Sequence, residues 1–316
     1  METQVDILIV GGGIAGLSAA STIVRQDHSV LILDSQQYRN GGSKHIHTLP
    51  TWDHRNPADW RVAAKRDFER YGTVTIAQEE AVKAEKVEGL FKVTTGSGKH
   101  WFAKKLILAT GVEDAMPNIP GYSECWISGI FHCLYCHGWE EKGITSAGAL
   151  LIGESAVPLV SFHIARQALR FSKKVTLYTD GNAQLADDLN KDLQASNAPM
   201  EVDARKIARL EKSLKRAEVT LHFEDGQSKT EGFLFGKPLA VLRGDLHKQL
   251  GLALTPKGTI VVNPPFNETS MKGVFAAGDC ASPMQTVTTA QATGTNAGAG
   301  APLQLQAEMW GQAPIF

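Results

Sequence analysis

Val5-Asp6-Ile7-Leu8-Ile9-Val10 runs directly into Gly11-Gly12-Gly13-Ile14-Ala15-Gly16. The first six residues are a short apolar run of the kind that forms a buried parallel strand. Ile14 to Arg25 continues with helical spacing, and Ser29 to Asp34 reads as a second strand. Strand, glycine turn, helix and strand make a βαβ unit. Gly11, Gly13 and Gly16 fit G-x-G-x-x-G. In that fingerprint the first glycine permits the tight turn, the second lets backbone approach a pyrophosphate, and the third allows close helix–strand packing. The phosphate then meets free N–H groups at the positive helix end. Asp34 closes the next strand 23 residues after Gly11, where a carboxylate bonds a ribose hydroxyl. With strand, helix and acid all in place, the stretch reads as a dinucleotide site rather than an unrelated glycine-rich turn.

Further along, Lys105-Leu106-Ile107-Leu108 is another buried strand and ends at Ala109-Thr110-Gly111. A second βαβ candidate has Ala149 to Ile152 as strand, Val157 to Phe171 as helix and Lys174 to Tyr178 as the next strand. Near the end, Gly273 to Asp279 is a strand running into a turn, followed by a Thr/Ala/Gly-rich helix. The stretches Met116 to Gly121 and Arg243-Gly244-Asp245 look like crossings between domains. The expected architecture is α/β with two Rossmann-like nucleotide-binding domains, the second inserted in the first. Its expected bounds are 1–115 and 245–316 for the outer domain and 116–244 for the inserted one. The first fingerprint alone does not separate FAD from NAD. Asp279 at a strand end before a small-residue helix suits the ribityl chain of a flavin, or else caps the helix. Together with the first motif it favours FAD.

The chain has 316 residues, 32 basic and 33 acidic, for a net charge of -1. That balance points away from nucleic acid and anionic membrane, and no apolar run reaches membrane-spanning length. From Met1-Glu2-Thr3-Gln4 the chain passes straight into a strand-like segment, without the charged and apolar regions of a secretory signal. A cytoplasmic location is therefore expected. Four cysteines, Cys125, Cys133, Cys136 and Cys280, are too few for a disulfide scaffold.

Two of them stand in Phe131-His132-Cys133-Leu134-Tyr135-Cys136-His137-Gly138. Thiols at C-x-x-C spacing close a small disulfide ring, and such a pair in a reducing compartment reads as metal-binding or catalytic. Exchange with a substrate dithiol passes through a mixed disulfide. His132 and His137 flank the pair and titrate near neutrality, so either can move protons. Zinc needs four ligands, and His132, Cys133, Cys136 and His137 lie too close together in sequence to wrap one tetrahedral ion easily. No metal site is expected. An inert buried pair is the bland alternative. Cys125 and Cys280 lack spaced partners and read as structural. Three more histidines, His45, His47 and His54, fall in the loop from Gly41 to His54. They either line a substrate entrance or are simply solvated.

The second glycine motif is damaged. It reads Leu151-Ile152-Gly153-Glu154-Ser155-Ala156, with Leu151 where the first glycine would stand and Glu154 adding negative charge. The next strand ends at Thr179-Asp180-Gly181. An NADP site wants Arg or Lys there for the 2′-phosphate, which Asp180 would repel. Asp180 suits a ribose hydroxyl, so NADH stays open. The favoured reading is a fold unit that persists without nicotinamide binding.

GGGIAG at Gly11 to Gly16, the ATG turn at Ala109 to Gly111, CLYC at Cys133 to Cys136 and GVFAAGD at Gly273 to Asp279, in this order, resemble the low-molecular-weight thioredoxin reductases over essentially the whole chain. Tyr38-Arg39-Asn40, Thr51 to Pro57 (TWDHRNP) and CLYCHG resemble more closely the gliotoxin-oxidase-like dithiol oxidases of that family, the epidithiodioxopiperazine and holomycin type. His137 stands where thioredoxin reductases usually carry Asp. The resemblance implies a three-layer ββα arrangement, an FAD domain split around the insertion, and a homodimer. It implies FAD contacts at Gly11, Gly13, Ile14, Ala15, Gly16, Asp34, Ser35, Arg39, Asn40, His45 and Val82. The implied set continues with Ala109, Thr110, Gly111, Gly278, Asp279, Gln285, Thr286 and Val287. It implies that Cys136 faces the flavin, that Cys133 meets the substrate, and that His137, or else His132, handles protons. The implied activity is oxidation of a small-molecule dithiol of secondary metabolism to a cyclic disulfide, with dioxygen as acceptor and hydrogen peroxide as product. Two other functions remain on the table: an NAD(P)H-dependent disulfide reductase, and a redox-sensing flavoprotein without turnover.

Overall fold

Ile7 and Ile9 point to one side of a central strand and Leu8 and Val10 to the other, and both sets are buried in separate cores. Successive side chains of a strand alternate faces, so an unbroken apolar run demands cover on both sides. The computed structural model describes residues 3–316, without the side chains of Thr3 and Glu154. The charge expected of Glu154 beside a phosphate therefore lies outside the described residues.

The strands are β1 Thr3–Val10, β2 Val30–Leu33, β3 Val74–Ala77, β4 Ala81–Val87, β5 Leu90–Thr95, β6 His100–Leu108, β7 Val112–Ala115, β8 Ile130–Phe131 and β9 Ile144–Leu150. They continue as β10 Ser172–Tyr178, β11 Met200–Asp203, β12 Ile207–Lys212, β13 Val219–Phe223, β14 Ser228–Glu231, β15 Leu234–Gly236, β16 Leu239–Leu242 and β17 Val274–Ala276. The helices are α1 Ile14–Ile23, α2 Pro57–Asp67, α3 Tyr122–Cys125, α4 Pro158–Ala168, α5 Ala183–Gln194, α6 Leu246–Gln249 and α7 Val287–Met309.

The chain divides into Met1–Glu113 with Val241–Phe316, and Asp114–Ala240. β7 and β16 form a separate two-stranded ribbon. Because they pair, the return crossing falls inside the ribbon, at 240/241, and not at the Arg243-Gly244-Asp245 turn that its sequence suggests.

In the outer unit the sheet order is β3-β2-β1-β6-β5-β4, with β17 also on β6. Strand β6 has two partners on one edge. Its first half pairs antiparallel with β5 and its last three residues pair parallel with β17. One core lies between the sheet and helices α1, α2 and α7; the other covers the opposite face with Leu246, Leu250, Leu252 and Ile260. Helix α7 is rich in small residues because it lies directly against α1. A Cβ on Gly294 would collide with the Ala15 carbonyl, and one on Gly298 with that of Ala19.

The inserted unit has an all-parallel sheet, β11-β10-β9-β15-β8, and an antiparallel sheet, β12-β13-β14. Helices α4 and α5 cover one face through Ala147, Ala149, Val175 and Leu177. The antiparallel sheet covers the other, through Leu150, Tyr178, Val219 and Leu221. Two sheets and a helical layer make the expected ββα stack. No described helix is long and apolar enough to cross a membrane.

Asp6 ties three strands of the outer unit together. Its carboxylate accepts from the Ser29 backbone N–H at 3.1 Å, from Lys104 Nζ at 2.8 Å and faces His28 Nδ1 at 3.3 Å. Burial pushes its pKa up, but these bonds outweigh that and hold it at about 2, below the ordinary 3.8. A depressed folded pKa means that the contribution is complete above 3.8 and lost as pH falls through about 2. Asp6→Asn should lower the melting temperature at neutral pH by roughly 2–4 °C. The gap to the parent should close as the pH approaches 2, read by thermal melts across the acid range.

Candidate functional site

In the outer unit, the turn between β1 and α1 has little freedom. Gly11 holds φ at 114°. A Cβ there would run into the Ala109 carbonyl, and one on Gly16 into the Gly11 carbonyl. Gly13 is different: a Cβ on it would meet nothing within 4 Å. It is the N-cap of α1 and its side supplies no capping group, so the first N–H groups of the helix are left for an external acceptor. Gly12 was assigned no role from sequence. A Cβ on it would overlap the Asp34 carboxyl group.

Asp34 is 1% exposed. Its Oδ1 accepts from the Gln36 N–H at 2.9 Å, and its Oδ2 from Tyr38 Oη at 2.7 Å and Lys65 Nζ at 2.9 Å. An ionised carboxylate has about four acceptor sites, so one remains for a ribose hydroxyl. Burial, then the neighbouring Asp34 charge, pushes the Tyr38 hydroxyl well above the usual phenol range. Tyr38 is therefore a permanent donor. Arg61 lies over the Tyr38 ring at 3.9 Å and donates to Asn40 Oδ1 at 3.1 Å. Arg61 and Lys65, missed in the sequence, are one helical turn apart on α2. The visible signal was their spacing after an Asn-Pro helix start.

Arg39 joins two segments that are far apart in sequence. Its Nη1 lies 3.0 Å from Asp279 Oδ2 and donates to Gln285 Oε1 at 2.6 Å. Asp279 sits in a 3₁₀ turn with Gly278, and the Gly278 N–H donates to Thr293 Oγ1 at 2.9 Å. Thr286 caps α7 by accepting from the Thr289 N–H, and Val287 opens the helix. Val82 sits where the β4–β5 register shifts, and its carbonyl accepts from Gln249 Nε2 at 3.0 Å. Ala109, Thr110 and Gly111 follow β6 beside Gly11. His45 stacks on His54, with ring centroids 3.9 Å apart. The glycine cradle, the α1 and α7 N-termini and the buried acid together fit FAD. Ile14, Ala15 and Gly16 would offer the α1 N–H groups to its pyrophosphate, and Ser35 follows the ribose acid.

In the inserted unit Cys133 and Cys136 are joined as a disulfide, with Cα atoms 5.3 Å apart. The Cys136 N–H donates to Cys133 Sγ at 3.1 Å, and the His137 N–H to the Cys133 carbonyl at 3.1 Å. Leu134 is buried with Phe131 and anchors the loop. Gly138 has φ of 104°, and its missing side chain leaves room for Leu134 and Phe171. The His137 ring stacks on Phe131 at 5.2 Å, and the His132 ring lies 6.1 Å from it. Tyr135 and Trp139 are 73% and 68% exposed. They were not singled out from sequence, although both stand within three residues of a cysteine of the pair. Cys125 and Cys280 are free and buried. Burial pushes the Cys125 thiol up to about 11 and also raises that of Cys280, which fits a structural role.

The second glycine turn is built differently from the first. Leu151 is buried, a 3₁₀ turn runs over Gly153–Ser155, and α4 starts only at Pro158. Proline has no N–H to offer, and Leu159 beside it is 77% exposed. Asp180 accepts from the Ile207 N–H at 2.9 Å and from Lys206 Nζ at 2.7 Å. These bonds fasten the end of β10 to the start of β12.

The glycine cradle makes a prediction. Gly13→Val should fold with an unchanged flavin-free melting temperature, yet bind FAD at least about tenfold more weakly, since its side chain fills the approach of the pyrophosphate. Gly16→Val should fail to fold, because its Cβ meets backbone. Flavin titration and thermal melts check both.

The pattern of the pyridine nucleotide-disulphide oxidoreductase family matches residues 5–294. The chain is 41% identical to "Thioredoxin reductase tcpT" of Claviceps purpurea, over 99% of this chain and 98% of that protein. It is 40% identical to a "Thioredoxin reductase" of Gibberella zeae, over 97% of this chain and 99% of that one. An oxidoreductase from Agrobacterium tumefaciens, solved by crystallography, superposes with a TM-score of 0.84 at 30% identity, covering 98% of this chain and 99% of that one. The chain therefore belongs to the pyridine nucleotide-disulphide oxidoreductases, as an FAD-binding member of the thioredoxin reductase type.

Proposed function

We propose that this protein oxidises a small-molecule dithiol to its cyclic disulfide, with dioxygen as the terminal electron acceptor. The observation that carries the reading is the second glycine turn, where Leu151 stands in place of the first glycine and α4 begins only at Pro158. A reductase of this family draws electrons from a nicotinamide cofactor. A chain without that cradle must take them from its thiol substrate. The resemblance of CLYCHG and TWDHRNP to the gliotoxin-oxidase-like branch supports the same direction.

Cys133 and Cys136 carry the exchange. A substrate thiolate attacks Cys133 Sγ, the Cys133–Cys136 bond breaks, and Cys136 leaves as thiolate. The second substrate thiolate then attacks the substrate sulfur of the mixed disulfide and expels Cys133 as thiolate. The Cys136 N–H that points at Cys133 Sγ stabilises this leaving anion. The substrate has lost two electrons and two protons, and the enzyme holds a dithiol. His137, or else His132, takes up and returns the protons. Exposed Tyr135 and Trp139 offer apolar surface to a ring-bearing substrate. The chemistry FAD supplies when bound is two-electron acceptance, with dioxygen as final oxidant and hydrogen peroxide as product.

Mixing the yellow holoenzyme with a small cyclic dithiol in air, without any nicotinamide cofactor, should consume one dioxygen per disulfide formed. Cys133→Ser and Cys136→Ser should each abolish uptake while keeping FAD bound. His137→Gln should lower turnover by about a hundredfold or more. NADPH consumed in step with reduction of a disulfide substrate would overturn the oxidase reading in favour of a reductase. Binding of dithiols without turnover would favour a sensor.

A further inference from the structure

Residues 45–55 of the outer unit gather three imidazoles that the proposed chemistry does not use together. Ile46 is buried, and its N–H donates to the Arg55 carbonyl at 2.7 Å, while the His54 N–H donates back to Ile46 at 2.7 Å. This isolated antiparallel bridge fixes the local register. Side chains alternate along extended backbone, so with Ile46 turned inward, His45 and His47 share the other face, where His54 meets them. One imidazole nitrogen from each of His45, His47 and His54 lies within 4.8 Å of the others. The loop holds this arrangement at some conformational cost. Thr48 and Thr51 have φ of 61° and 69°, in the left-handed region that β-branched side chains rarely adopt, while His54 at 60° is of a type that tolerates it.

We propose that this cluster binds one divalent transition-metal ion of the zinc class. Three nitrogens on a tetrahedral ion at 2.0–2.1 Å would stand about 3.3 Å apart, so binding would close the rings in from their present spacing by side-chain rotation. A single cation can take one nitrogen lone pair from each of the three rings. Nitrogen donors select Zn²⁺, Cu²⁺ or Ni²⁺ over Ca²⁺ and Mg²⁺, which prefer oxygen. Asp53 completes the pattern. Its Oδ1 lies 3.3 Å from His47 Nδ1 and also accepts from the Thr48 N–H at 3.2 Å. A carboxylate that accepts from one ring nitrogen fixes the tautomer and leaves Nε2 as the metal ligand.

The test uses the holoenzyme with its disulfide intact, stripped with a chelator and titrated with Zn²⁺ against a chromophoric competitor. One Zn²⁺ per chain should bind with micromolar or tighter affinity, and Ca²⁺ should not compete. His47→Asn and His54→Asn should each weaken binding about a hundredfold, and Asp53→Asn about tenfold, with flavin content and melting temperature as the check on folding. Asn keeps the left-handed conformation at 54 accessible. X-ray absorption of the zinc-loaded parent should show three nitrogens at about 2.0–2.1 Å, which decides the matter even if a variant misfolds. No saturable one-to-one binding, undiminished binding in both histidine variants, or sulfur neighbours around the zinc would each overturn the assignment.

Discussion

A carboxylate taken out of water needs donors, and Asp34 has three of them within 2.9 Å. Much of the outer unit follows from satisfying it. Gly12 must lack a side chain so that the carboxyl can lie against the turn. Gln36 takes φ of 61° to bring its N–H round. Helix α2 must present Lys65 to the acid and Arg61 to Tyr38, which fixes where it docks. Arg61 also donates to Asn40, the neighbour of Arg39. A single buried charge thus connects the glycine turn, the second strand and a helix more than twenty residues further on.

The parts of this arrangement that follow short-range rules were readable from sequence. The apolar run into Gly11-Gly12-Gly13 announced a buried strand and a glycine turn, Asp34 fell at the end of the next strand, and C-x-x-C announced a pair that closes as a disulfide. The parts that depend on tertiary meeting were not. Nothing in the neighbourhood of Arg39 says that Asp279 and Gln285 will arrive beside it, since their encounter depends on strand order and the docking of α7. Lys65 looks like an ordinary solvated helix residue until Asp34 is seen beneath it. The histidines of the 45–54 loop were open to a bland reading because the Ile46–Arg55 bridge joins residues without a strand pattern.

The two units place different local chemistry on one topology. Both place a βαβ motif at a sheet's centre. In the first, the helix begins at the glycine turn and an acid waits beneath it. In the second, a bulky Leu151 is buried in the core, the helix starts late at a proline, and Asp180 bonds the start of β12. Packing needs only the apolar faces of β9, β10 and α4, so the glycine turn is free to vary without disturbing the fold.

Strand β6 closes the outer sheet with a partner drawn from residues 274–276. On the ribosome, that partner emerges only after the whole of Asp114–Ala240 has been made. The nascent outer unit must therefore wait with one flank of β6 bare and the small-residue groove of α1 uncovered, while the insert is free to fold first. A chain truncated anywhere before α7 would contain every glycine of the first motif and still be unable to assemble the walls around it.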